Sequence, residues 1–128
     1  MTFWGNLIGY QTVWVSALIG AGRQLWWPGV IANRLDPGTG IDEPSLEMEN
    51  HMVRAHHAAI IDFHGEHHGN RIARKHVGWT IDRLAERQLI SPEETSAWRR
   101  RLLQTHDNKF VANGLAELYG AAMGKRAA

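Results

Sequence analysis

The sequence predicts an all-α fold, a small bundle of four to five helices, and three observations support this. From Pro28 onward, apolar residues recur at helical spacing in one segment after another. The segments are joined by short turns carrying capping chemistry, most plainly at Ser91-Pro92-Glu93-Glu94. Only one stretch, Val13 to Ile19, reads as a β-strand, being short, β-branched and bounded by Gly20. Helices joined by short turns, with one orphan strand at the front, argue a bundle.

The first 22 residues carry no charge. They lack the positive start of a secretory signal. Asn6, Gln11, Thr12 and four glycines dilute them too far for a spanning helix, so no membrane segment is expected. Gly20-Ala21-Gly22-Arg23 after the strand is a turn whose backbone amides suit a phosphate. Pro28 to Leu35 should be a short helix with Val30, Ile31 and Leu35 inward, stopped by Asp36-Pro37-Gly38. Ser45 caps the next helix, to His64, with Glu47 and Glu49 in its first turn. Leu46, Val53 and Ile60 form its apolar stripe, with Met52 and Phe63 beside them. Gly65 and Gly69 break the chain before a helix from about Asn70 to Gln88. The capping box at Ser91 starts another, to about Gln104, with Thr95, Trp98 and Leu102 inward. A last helix, Asp107 to Met123, should bury Phe110, Val111, Leu115 and Leu118, with a frayed tail from Lys125.

A chain of 128 residues suits one domain with its own core. Net charge is +1, so no global field exists, but the distribution is bipolar. Residues 41–66 hold six acids against one arginine, and residues 69–109 hold nine bases against five acids. There is no cysteine, which excludes disulfides, thiolate metal sites and thiol catalysis.

The helix after Gly65 carries the chemistry. At about 100° per residue, Arg71, Arg74, Lys75 and Gly78 share one side, while Ala73, Val77, Ile81 and Leu84 share the other. One face is built for a core and the other for an anion. Arginine offers a planar fork of donors matched to phosphate, and two arginines and a lysine within five residues make a phosphate-sized cluster. The arginine run Arg99, Arg100 and Arg101 on the following helix is a second basic candidate, although at most two of the three share a face.

Gly65, Gly69, Arg71, Ile72, Ala73, Arg74, Lys75, His76, Val77, Gly78 and Trp79 together resemble the tRNA-dihydrouridine synthases, specifically the bacterial B-type branch. In that family the segment lies in a C-terminal helical domain that grips tRNA beside a flavin-binding barrel. The resemblance implies tRNA binding by Arg71, Arg74, Lys75 and His76, with Arg99, Arg100 and Arg101 as a further contact. It also sets Gly20, Gly22 and Arg23 against a flavin phosphate, although Ala21 stands where the family has arginine. The family reduces tRNA uridine with FMN and NADPH, using a barrel cysteine as acid. Nearly all of that barrel is missing here, and so is any cysteine. The expectation is therefore a truncated synthase: residues 1–27 a remnant of the barrel edge, including the orphan strand, and residues 28–128 a tRNA-binding helical domain. Such a chain should be cytoplasmic, hold no FMN and have no catalytic residue of its own.

Seven of eight histidines lie between His51 and His76. His57 and His64 share a face, and Asp62 and Glu66 are near, but no established metal spacing such as His-Glu-x-x-His occurs. No metal site is expected, and most of these side chains should be structural. Trp79 and Trp98 are expected in the core. Trp26-Trp27 is expected to seal a contact to a separate barrel or to drive self-association. Rival readings are a stand-alone helical nucleic-acid-binding or protein-docking module and a histidine-based metalloprotein.

Overall fold

Helix boundaries follow the capping residues closely. Ser45 Oγ accepts from the Met48 amide at 3.2 Å and opens a helix at Leu46. Ser91 and Glu94 form a reciprocal capping box, with amide contacts of 3.1 and 3.0 Å and Pro92 in the first turn. The structure, a computed structural model, describes residues 26–38, 40 and 43–127. Among these there are five helices and no strand. They are α1 (Trp27–Leu35), α2 (Leu46–His64), α3 (Glu66–Glu86), α4 (Pro92–Leu103) and α5 (Asn108–Ala127). The chain divides into two compact units, Met1–Pro44 and Ser45–Ala128. The expected strand and the Gly20, Gly22 and Arg23 turn lie outside those described.

In the first unit, Trp26 is the N-cap of α1, and Pro28 lies in its first turn. The Gly38 amide donates to Asn33 Oδ1 at 2.9 Å, closing the turn after the helix. Val30 is buried, but Leu35 is 54% exposed. Five residues rotate about 140°, which carries Leu35 off Val30's face. Trp26 is 5% exposed, and the side chain of Trp27 lies outside those described.

The second unit is an up-down-up-down four-helix bundle. α2 and α3 reverse direction at one residue, Gly65, whose φ of +85° lies where glycine is favoured. The arms of this hairpin run antiparallel, pairing Ile61 with Gly69, His56 with His76 and Glu49 with Arg83. Gly69 lies inside α3 and is not the expected second break. A Cβ there would sit 2.9 Å from Ile61 Cα, so its bareness lets the two helices close together. α4 runs back along α3, and α5 runs back along α4 through Arg101–Glu117 and Glu94–Lys125. α5 also packs on α2, closing the bundle.

The core takes Leu46, Val53 and Ile60 from α2, Ala73, Val77, Ile81 and Leu84 from α3, Leu102 from α4, and Val111, Leu115, Leu118 and Tyr119 from α5. Phe63 and Phe110 depart from expectation, at 84% and 40% exposed. Phe63 lies on the last turn of α2, off the seam, and Phe110 is turned about 100° from Val111. Helix α5 continues to Ala127 rather than fraying at Lys125, which lies 4.0 Å from Glu94. Buried among the apolar residues is a polar knot. Glu49 accepts from Arg87 at 2.7 Å and from Arg83 at 3.4 Å, and the Tyr119 hydroxyl bridges Arg83 (3.0 Å) and Glu49 (3.4 Å). Burial raises the Tyr119 phenol to about 12, keeping it a neutral donor.

Candidate nucleic-acid interface

Because Val77, Ile81 and Leu84 anchor α3 in the core, the opposite side of the helix is held outward. Arg71, Arg74, Lys75, Gly78, Trp79 and Asp82 face Arg99 and Leu103 of α4 across an open groove of about 330 Å³. Four cations and one carboxylate line it. Arg71 and Lys75 are exposed, and Arg74 is half-buried with Nη2 donating to Asn70 Oδ1 at 3.0 Å. Among the described residues, no salt bridge involves Arg71, Arg74 or Lys75. Arg99 donates to Asp82 at 2.7 Å, a half-exposed pair worth at most about 1 kcal/mol. A phosphate entering the groove can therefore compete for that guanidinium at little cost.

The structure groups Arg71, Arg74, Lys75 and Arg99, and it separates Arg100 and Arg101 from them. Arg100 is exposed and does not line the groove. Arg101 turns to α5, where it donates to Glu117 at 2.6 Å and lies 4.8 Å over Trp98 and 5.6 Å over Phe110. His76 is half-buried, its ring 4.8 Å from His56 and 5.3 Å from Trp79, both edge-on. Trp79 and Trp98 are half-buried rather than core. Trp79 lies roughly 160° from Val77 around α3, beside Lys75.

Asp82 and Leu103 of the groove, and Asn70 beneath Arg74, were not singled out from the sequence. Asp82 follows Gly78 by four and Lys75 by seven, so the same periodicity that found the cations places it beside them. Asn70 precedes Arg74 by one turn and is buried. It also fixes the α4–α5 turn, with Nδ2 donating to Asn108 Oδ1 at 2.8 Å and Thr105 O at 3.4 Å. Of the remaining histidines, His64 pairs with His68 and His67 with His106, and among the described residues no three His, Asp or Glu side chains are grouped to hold a metal. Burial lowers the pKa of His56 and His57, with His56 adding charge repulsion at His57. No helix among the described residues is long and apolar enough to cross a membrane.

Comparison with known proteins bears on what this groove serves. The chain is 32% identical over 120 residues to a probable tRNA-dihydrouridine synthase of Rhizobium leguminosarum bv. phaseoli, covering 88% of this chain and 33% of the relative. It is 30% identical over 104 residues to a probable tRNA-dihydrouridine synthase of Rickettsia conorii, covering 81% and 29%. It is 29% identical over 101 residues to tRNA-dihydrouridine synthase B of Shewanella oneidensis, covering 75% and 31%. The chain belongs to the tRNA-dihydrouridine synthase family. It spans about a third of the length of these synthases, and the partial match is consistent with their C-terminal helical domain. The tRNA-dihydrouridine synthases are generally flavin-dependent. No family model matches the chain, and no solved structure matches it significantly.

Proposed function

We propose that this chain is the tRNA-gripping part of a tRNA-dihydrouridine synthase, and that the α3–α4 groove holds the tRNA backbone. The observation that carries this reading is the groove itself: Arg71, Arg74 and Lys75 share one open face, with no carboxylate among the described residues in salt-bridge contact with them and Arg99 opposite. Guanidinium forks and an ammonium aimed into an open groove suit phosphate oxygens. Half-buried Trp79 on the groove, with His76 edge-on to it at 5.3 Å, suits contact with a sugar or base. In this reading Arg100 and Arg101 lie outside the first contact. Hydride transfer belongs to the flavin barrel of such an enzyme. This stretch has no cysteine to serve as the acid, and Gly20, Gly22 and Arg23 fall outside the described residues. By itself the chain should bind tRNA and neither carry FMN nor reduce uridine with NADPH.

The test is tRNA affinity across a salt series. Each phosphate neutralised contributes a slope of about −0.9 in log K against log salt for duplex and about −0.7 for single strands. The Lys75→Ala variant should therefore flatten the slope by about one unit. Affinity that ignores salt, or that survives Arg71→Ala with Lys75→Ala, refutes the interface. Duplex DNA at matched salt separates a tRNA grip from general nucleic-acid binding, and flavin absorbance with a dihydrouridine assay checks the expected inactivity.

A further inference from the structure

The basic face of α3 does not end at Arg71. His67 precedes Arg71 by four residues and Arg74 by seven, which places all three along one side of the helix. Opposite it stands His106 in the α4–α5 turn, the two rings 6.4 Å apart and inclined by 33°, both residues exposed. The pairing is built in. Asn70 holds the turn through Asn108 and Thr105, and Asn108 Nδ2 donates to the Glu66 carbonyl at 2.9 Å. His67 and His106 are thereby carried on one braced corner. From His67 to Gly78 the stripe runs roughly 16 Å, more than one phosphate fills.

Two imidazoles this close repel once both are protonated, unless an anion sits between them and accepts an N–H from each. We propose that His67 and His106 form a second phosphate subsite at the end of the groove, engaged when the imidazoles are protonated. It rests on the groove being an RNA interface, and it adds to that reading a subsite and a proton dependence. The charged and titratable neighbours are compatible with it. Arg71 continues the stripe toward the groove. Asp107 is committed to α5, accepting the Lys109 and Phe110 amides at 3.0 and 3.2 Å. Glu66 and His68 flank His67 in sequence, and His68 pairs edge-on with His64 of α2 at 5.5 Å. Lys109 adds a further positive charge on the first turn of α5.

The test measures tRNA affinity of the full chain at pH 7.5 and 5.5, with EDTA present and folding checked by circular dichroism at each pH. Wild type should bind roughly tenfold tighter at pH 5.5, with a log–log salt slope steeper by one to two units. The His67→Gln/His106→Gln double variant should match wild type within about twofold at pH 7.5 and lose most of the acid gain. The Arg71→Ala/Lys75→Ala variant should bind weakly yet keep the gain. Binding at pH 7.5 with no acid gain, or with a gain unchanged in the double histidine variant, overturns the subsite and leaves the groove standing. Absence of tRNA binding at both pH values overturns both.

Discussion

Replacing Glu49 by alanine should cost the bundle about 3–5 kcal/mol, because it strands a buried cation. Glu49 is 2% exposed, and its two oxygens serve Arg83, Arg87 and the Tyr119 hydroxyl. The losses are unequal. The Arg87 side chain is 36% exposed and can swing into water, so its released charge contributes little. The Arg83 side chain is 8% exposed, lies where α2, α3 and α5 meet, and would keep the Tyr119 oxygen at 3.0 Å. Nearly all the cost is thus the desolvation of one guanidinium. Against a total stability of about 5–15 kcal/mol, such a loss would leave the fold marginal. Urea unfolding followed by circular dichroism at 222 nm measures it. A companion triple, Glu49→Met and Arg83→Met with Tyr119→Phe, removes both charges and the hydroxyl they hold and should recover most of the loss, as exchanges of a buried ion pair for apolar side chains often do. A loss below about 1 kcal/mol for Glu49→Ala, or a triple substitution no better than the single, would refute the account.

Other expectations concern the helix contacts and the histidines. Gly78→Ala should stabilise by up to about 1 kcal/mol, since its Cβ would meet Leu103 at 3.8 Å and Arg99 at 4.0 Å, ordinary contact distances. A melting temperature that falls would show that the groove wall is tighter than it looks. Gly69→Ala should instead destabilise by about 1–3 kcal/mol, because its Cβ would press on Ile61 backbone that cannot turn aside. An unchanged urea midpoint would mean that the hairpin opens freely. His56 and His57 have folded pKa values below the ordinary 6.5, so the unfolded chain takes up protons first as pH falls. Their contribution to stability is present above pH 6.5 and is lost as pH drops below it through the folded values. Urea midpoints at pH 7.5 and 5.5 should differ in wild type and converge when both are replaced by non-titrating side chains.

Much of this could be read from residue spacing, and the failures have a common cause. Ser45, Ser91 and Glu94 located helix starts because capping is local chemistry, decided within four residues. Ala73, Val77, Ile81 and Leu84 located a core face because they recur with the helix period. Phe63, Phe110 and Trp79 were misplaced because hydrophobicity says that a side chain seeks cover, while the partner helix decides which arc of the surface receives it. Glu49 shows the reverse. It sits three residues after Leu46 and four before Val53, on the apolar stripe itself, so an acid there signals a buried partner. Its partners, Arg83, Arg87 and Tyr119, lie 34 to 70 residues away and only the tertiary fold names them. The same limit applied at the groove. The period of α3 gathered Arg71, Arg74 and Lys75, but only the packing of α4 chose Arg99 over Arg100 and Arg101.

The Asn70 amide faces two ways, its oxygen toward Arg74 and its nitrogen toward the turn that carries His106. Exchanging that nitrogen for oxygen, as Asn70→Asp does, would lock Arg74 into an internal ion pair and turn an anchor into a repulsion against two acceptors. A change of one atom would tie down a charge of the cleft and unfasten the turn beyond its end at once. Under the proposed tRNA grip, the neutrality of this side chain matters as much as the positive charges it stands beside.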